Sequence, residues 1–572
     1  MDRNASHLVP VVGQPEPSAD HATRCLAAAV HLDQPFCEEV VQEYLAEPRR
    51  ALPPSSGVDV AAVLREALAA RRRRKIRDWT LLALLAMFVF TNFVLFAMWL
   101  LAAIMWRSVY VHKSFLDIAA KAFRIPRSKN ALVKLFVISI LAFAGLYLLL
   151  RLAVVSINLV TAFLLAVMMF AVVLADRVVE WWLATLSFAK VSPPSGAGCW
   201  PGELRLRSLG ATRFAAELAE VERQARTGNL IIFRGREPFV GSGERYRSWE
   251  IAIPLVPAGP SGNGDGTSGH ELMLRRNDDR PGPSFTPMDV YRYIFAEFEN
   301  LRTALSLAPS RRLSSIQVSP LVVAAAEGLL DNYGDPRSHW VLPDLNRRPN
   351  SVLSLESVEH VADEPVEWMR HFQRIQIESW DQELVVSAFL HVGCDRQMLY
   401  IEWNYHVLFP ISRRYRMLDQ VPASGLPVFG LAIADLLALP ASIIERTRSA
   451  MRRITLARSE RPRQGWVGEA TYGAWRSVRE MAGTAAASVE AKTRSYFEAT
   501  DIERYSEILE RHTFGSIAGF LESRGLSTRE LGQRAMNVIN NYGGNAIVSS
   551  PVIGNTFTTT NNNATTTSVL SS

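Results

Sequence analysis

Glu402, Asn404 and His406 alternate with the apolar Trp403, Tyr405 and Val407. A period of two places the first three on one face of a strand. A carboxylate close to an imidazole is what general acid–base catalysis or a metal ion would use. Residues two apart on a solvated strand face are polar by default, however, and no nucleophile or third ligand can be located by spacing. The expectation for Glu402 and His406 is therefore a solvated face, with Trp403, Tyr405 and Tyr400 serving packing rather than a ligand cage.

The run Phe239-Val240-Gly241-Ser242-Gly243-Glu244 is the other candidate, because Gly241 and Gly243 can expose backbone N–H groups to an anion. It lacks the Lys-Ser/Thr of a phosphate loop, and a strand pattern follows it instead of a helix, so a structured hairpin loop is expected. Cys25, Cys37, Cys199 and Cys394 have no CxxC spacing, which indicates neither a zinc site nor a disulfide framework and fits a reducing cytoplasm. No catalytic residue, cofactor site or metal site is assigned, and the reading leans away from an enzyme.

These residues need a sheet to hold them. Residues 372–380, 383–392 and 398–409 read as a meander, with Gly393-Cys394-Asp395-Arg396 as a hairpin turn. Upstream, 230–233 is a short apolar strand, and Trp249, Ile251, Ile253 and Leu255 alternate with polar or small neighbours. Thr286-Pro287-Met288-Asp289 opens a helix running to about residue 305, and another helix is expected over 321–330. Residues 196–420 thus form a soluble α+β domain with a mainly antiparallel sheet. A helical region, 421–539, follows; its stretch 431–456, divided by Pro440, is basic on its polar side and reads equally as a helix lying on an anionic leaflet or as the solvated face of a packed helix. Ser527 and Glu530 are spaced as a capping box, and 540–572 is a Gly/Asn/Thr-rich tail.

The membrane region spans 79–178. The block 79–106 has no charged residue and would make about 42 Å of helix, against a hydrocarbon core of roughly 30 Å. The block 135–175 is interrupted only by Arg151 and is too long for one crossing, so 135–155 and 159–175 are read as two arms with Arg151 as an interfacial anchor. Two topologies stay open: three spans, or a re-entrant turn at Thr91-Asn92 plus two spans. Before these blocks, 1–20 is a loose tail and 21–78 a helical cap with a basic arm. Arg71, Arg72, Arg73, Arg74 and Lys75 close that arm and are read as topology signals and contacts to anionic lipid headgroups. Both flanks of the first block are basic, which favours a cytoplasmic location for both soluble parts. The net charge of +6 comes without any module that reads nucleic acid, so nucleic acid is not an expected partner. The N-terminus carries no secretory signal pattern.

Two passages carry a family resemblance: 229–233 through Pro238-Phe239-Val240-Gly241-Ser242-Gly243 to Trp249, and 520–545. With the cap and the apolar blocks, the chain resembles a group of uncharacterised multi-pass membrane proteins of actinobacteria, for which no activity or site residues are implied. The Gly/Asn-rich ending is similar to short β-like tails on bacterial proteins of conflict systems. The expected function is a bacterial inner-membrane protein whose cytoplasmic domain binds a partner or ligand without catalysis. A protein partner at the tail and a homo-oligomer are compatible with it. The alternative is a membrane-perturbing effector or small channel.

Overall fold

The computed structural model describes residues 21–109, 159–184, 188, 218–223, 228–258, 285–303, 315–380, 382–395, 397–416, 426–447, 468–483 and 489–542. Arg151, the arm 135–155 and the tail beyond 542 lie outside them. Strands β1 (Leu230–Phe233), β2 (Glu244–Pro254), β3 (Ile316–Ala325), β4 (Met369–Ser379), β5 (Leu384–Cys394) and β6 (Met398–Leu408) form one sheet in the order β1-β3-β4-β5-β6-β2. Only the β1–β3 pairing is parallel. The helices used below are α1 (His21–Leu32), α2 (Gln34–Leu45), α3 (Val60–Thr91), α4 (Phe93–Val109), α5 (Leu159–Trp182), α6 (Pro287–Thr303), α7 (Leu355–Asp363), α8 (Leu426–Ala438), α9 (Val478–Met481), α10 (Tyr496–Ser523) and α11 (Arg529–Tyr542). The fold is mixed α+β with a mostly antiparallel sheet.

The expected alternation sets the first core. Ile251, Ile377, Val386, Trp403 and Tyr405 face Tyr291, Ile294 and Phe298 of α6 and Ile502, Leu509 and Ile517 of α10. Trp249 stacks on Trp403 with centroids 5.9 Å apart and on Phe514 at 4.7 Å. Because α10 and α11 supply this core, the α+β unit continues well past residue 420. The opposite face is buried as well: Ile231, Leu321, Val323, Phe372 and Phe389 pack under Phe239 and Val240. The stretch 321–330, expected as a helix, is instead the end of β3 followed by a helix only over Ala326–Asp331. β3 pairs on both edges, with β1 and β4, and a strand buried on both faces reads as a continuous apolar run that periodicity does not distinguish from a helix.

The cap α1, α2 and the first half of α3 pack through Leu26, Val40, Tyr44 and Leu64 onto Ile411, Tyr415, Val478 and Ala482, so the cap and the α+β unit share a core. Asp59 caps α3, its carboxylate accepting from the Ala62 N–H at 3.0 Å. α3 then runs from the cap into the apolar block as one rod, as expected, and ends at Thr91.

The block 79–106 is not one straight rod. Asn92 adopts φ −142° and ψ 53°, and the Phe88 and Trp99 rings approach to 5.6 Å. In a continuous helix, residues eleven positions apart would be about 16 Å apart along the axis. The chain therefore turns sharply at Asn92, where the Asn92 N–H still donates to Phe88 O and the Phe96 N–H to Asn92 O. Beyond the turn, the Trp99 indole donates to Leu437 O at 3.2 Å. Leu81, Leu85 and Phe88 of α3, Leu165, Met169 and Val173 of α5, and Ala432 of α8 form an apolar bundle. Among the described residues, one helix, Val160–Trp182, is long and apolar enough to cross a membrane by itself, and Val428–Ala438 with Pro440–Thr447 forms a pair bent by 67°. Of the two readings open for 431–456, its first part takes the packed one, with Ala432 and Leu439 in this bundle.

Candidate functional site

The basic arm places its arginines inward. Arg73 Nε and Nη2 lie 3.0 Å from Asp176 and Glu180, and Arg77 Nη1 lies 2.6 Å from Asp176. Arg177 joins Glu180 at 2.7 Å and donates through Nε to Asp435 at 2.6 Å, while Arg446 reaches Asp78 at 3.0 Å. Arg74 is buried and donates to Val30 O and His31 O. Only Arg72 and Lys75 of the run 71–75 are exposed, and Arg71 is half-buried. These ion pairs tie α3, α5, α8 and the segment after Pro440 together at one end of the apolar bundle.

Gly241 and Gly243 do form an anion-holding loop, and the chain supplies the anion. Both backbone N–H groups donate to Glu480 Oε1 at 2.9 Å, and Ser477 N–H donates to Oε2 at 2.8 Å. Ser477 and Glu480 complete a capping box at α9. Both glycines have positive φ, +90° and +85°, and a Cβ would overlap Pro54 O at Gly241 and Val407 O at Gly243. Burial pushes the Glu480 carboxyl up despite these donors. The loop is thereby a three-way latch between cap, sheet and α9.

His406 contradicts the expected solvated face. It is 2% exposed, wedged between Phe239 and Phe389 with centroids 5.0 and 5.6 Å away. The latch loop folds over its end of β6, which is why alternation alone placed it in water. Asn404 is buried too, donating to Glu402 Oε1 at 2.7 Å, and Glu402 stays partly exposed with Arg370 at 3.8 Å. Burial, only partly offset by the nearby Gly243 backbone, lowers the His406 pKa to about 4; His371, buried against Tyr291, falls to about 3.

These two histidines make stability pH-dependent. Each binds its proton near pH 6.5 when unfolded and resists it when folded, so their contribution is fully present above about pH 6.5 and is lost as pH falls, through about 4 for His406 and about 3 for His371. For His406 the full loss is about 3 kcal/mol. Urea midpoints measured between pH 7 and 4.5 are expected to fall, and His406→Phe is expected to flatten that slope.

Facing residues on three strands assemble a polar cleft. Glu250 of β2 lies opposite Glu402 of β6, which lies opposite His391 of β5; Ser248 faces Asn404 and Arg245 faces His406. A cleft of about 390 Å³ is lined by Arg236, Arg245, Glu250, Glu402, Asn404 and His406. A neighbouring one of about 580 Å³ shares Glu250 and Glu402 and reaches Arg370, His391 and Tyr400. Sheet and cleft both lie in the part of the chain that a family model described as an AbeC-like domain matches, residues 248–558, more than half of the chain. The chain belongs to the AbeC-like domain family. No curated protein and no solved structure matches it. The AbeC-like domain holds β2 from Ser248 onward and all of β3 to β6, together with Glu480 of the latch, whereas Gly241, Gly243 and the cap precede it.

His31 Nε2 pairs with the buried Glu66 at 2.9 Å, and His21 Nε2 lies 3.5 Å from Glu383. Cys25 Sγ is 3.8 Å from His21 Nε2, but Arg24, which can only donate, sits 2.7 Å from Nδ1. The His21 proton therefore lies on Nε2, facing Glu383, and no lone pair is left to activate the buried thiol. Among the described residues no three His, Cys, Asp or Glu side chains converge to hold a metal.

Proposed function

We propose that the chain is a membrane-anchored protein of the bacterial inner membrane whose α+β domain binds a partner or ligand on the cytoplasmic side without catalysis. The observation that carries the anchoring is the outer surface of the α3–α4–α5–α8 bundle. Phe90, Phe93, Val160, Phe163, Met168 and Ile444 are all more than half exposed, while the ionised groups are paired at one end. An apolar surface of this kind is stable in contact with lipid rather than water. The turn at Asn92 supports re-entry of the first block: Trp99 reaches Leu437, two residues from the Asp435 that pairs with Arg177, so α4 heads back toward the charged end. Both basic flanks then stay on one side, as the charge rule favours.

A charge placed on the lipid-facing surface costs about 2.5–3.5 kcal/mol, roughly a hundredfold in partitioning. Flotation of the full chain with phosphatidylethanolamine/phosphatidylglycerol vesicles checks this. The wild-type chain is expected to float and to resist carbonate extraction, and Phe163→Glu to shift it toward the soluble fraction. Wild-type chain recovered soluble without detergent would sink the anchoring.

A further inference from the structure

We propose that Arg72 and Lys75 bind the phosphate of an anionic phospholipid at the charged end of the bundle. This deepens the anchoring proposed above and rests on it. The structure divides the basic run in two. Arg73 is taken up by Asp176 and Glu180, and Arg74 is buried against Val30 O and His31 O. Arg72 and Lys75 are exposed, and neither pairs with a carboxylate among the described residues. The acidic groups near them are engaged elsewhere. Asp78, three positions from Lys75, is 1% exposed and is held by Arg77 and Arg446. Glu66 is buried on His31, and Asp176 and Glu180 of α5 are bound by Arg73, Arg77 and Arg177. Arg71 and Arg72 instead stand four and three positions from Lys75, where like charges destabilise a helix. An anion bound from outside removes that repulsion.

The second observation is where these two cations stand. At 3.6 residues per turn, Arg72, Lys75, Ile76, Trp79, Met87 and Phe90 fall on one face of α3. All six are exposed, from 47% at Trp79 to 91% at Phe90 among the apolar ones. This is the face that meets lipid when the bundle is a membrane anchor. Lys75 lies about 6 Å and Arg72 about 10 Å beyond Trp79 along the helix axis. An indole at the edge of an apolar stripe marks the membrane interface, so both long side chains extend into the phosphate layer. A phospholipid matches the whole stripe, with its phosphate on the two cations and its acyl chains on Ile76, Met87 and Phe90. A free anion or an acidic protein segment matches the cations alone and leaves the apolar part of the stripe uncovered.

The test titrates the detergent-purified full chain, followed by anisotropy, with acyl-chain-labelled phosphatidylglycerol and with acyl-chain-labelled phosphatidylcholine. Phosphatidylglycerol is expected to bind more tightly by about fivefold or more, the contribution of one basic residue at an anionic surface, and to lose part of that preference at high salt. Arg72→Gln with Lys75→Gln is expected to abolish the preference while leaving phosphatidylcholine affinity and the thermal midpoint unchanged. Inorganic phosphate, added at constant ionic strength, is expected not to displace the lipid. Three results would overturn the assignment: equal affinities for the two lipids in folded wild-type protein, a preference that survives in the double variant, or displacement by inorganic phosphate, which would make the ligand a free anion. Flotation on phosphatidylcholine vesicles is read on the same samples. Protein that floats without a lipid preference loses this assignment alone, whereas protein that does not float loses the anchoring and the assignment with it.

Discussion

Glu480→Ala is expected to destabilise the protein by about 3 kcal/mol or more. The carboxylate accepts three backbone N–H groups, from Gly241, Gly243 and Ser477, in a buried position. Truncation leaves all three donors without a partner, at about 1–3 kcal/mol each before relaxation. It also removes the α9 capping box, worth about 1 kcal/mol. Glu480→Gln should cost less, because its amide oxygen can still accept from the two glycines while the amide NH₂ opposes the Ser477 N–H. Gly241→Ala should fall near the alanine variant, as its backbone is left-handed and the new Cβ overlaps Pro54 O. Urea unfolding of the three variants in detergent gives the ranking. A loss below about 1 kcal/mol for Glu480→Ala would mean that the loop does not depend on its carboxylate.

Asp176→Ala is expected to cost about 3–5 kcal/mol, the range for removing one partner of a buried ion pair. Asp176 is buried between Arg73 and Arg77, at 3.0 and 2.6 Å, and its removal leaves Arg73 with Glu180 and Arg77 with Asp78, one buried positive charge in excess at the end of the apolar bundle. Replacing the pair tells charge from packing: Asp176→Ala with Arg77→Met should recover part of the loss, because the desolvated cation is gone. Arg73 retains Glu180 in that variant. Thermal inactivation of detergent-solubilised protein measures both, and high salt should change the difference little since buried pairs are weakly screened. A double variant worse than the sum of the singles would contradict the pairing.

The parts of the fold legible in the sequence were those with local causes. Alternation over 372–409 named the meander and put Trp403 and Tyr405 in the core, and Gly241 and Gly243 marked a structured loop, but the use of their N–H groups to hold a carboxylate went against the expected plain hairpin loop. Thr91-Asn92 was one of two open readings, and the break falls there. What stayed hidden depends on partners far along the chain. Glu480 lies 239 residues from Gly241, and nothing in its neighbourhood marks it as the anion. Arg73 and Arg77 read as headgroup contacts because Asp176 and Glu180 are about a hundred residues away. His406 was placed in water because alternation assigns a face and says nothing of what covers it; the latch loop and Phe239 do. For 431–456 the arginines left a surface helix and a packed helix equally open, and the choice lies with Ala432 and Leu439, which pack against α3 and α5 far away in the chain.

The bundle is proposed as a membrane anchor whose first apolar block enters and leaves on one side. Accessibility of Arg72→Cys and Arg107→Cys, each introduced separately into the full chain in which Cys25, Cys37, Cys199 and Cys394 are replaced by serine, tests it with a membrane-impermeant maleimide. Both positions are expected to stay unlabelled in intact bacterial spheroplasts and to become labelled after lysis, in protein recovered with the membrane fraction. Labelling of one position but not the other in intact spheroplasts would make the block a full crossing and would contradict the account.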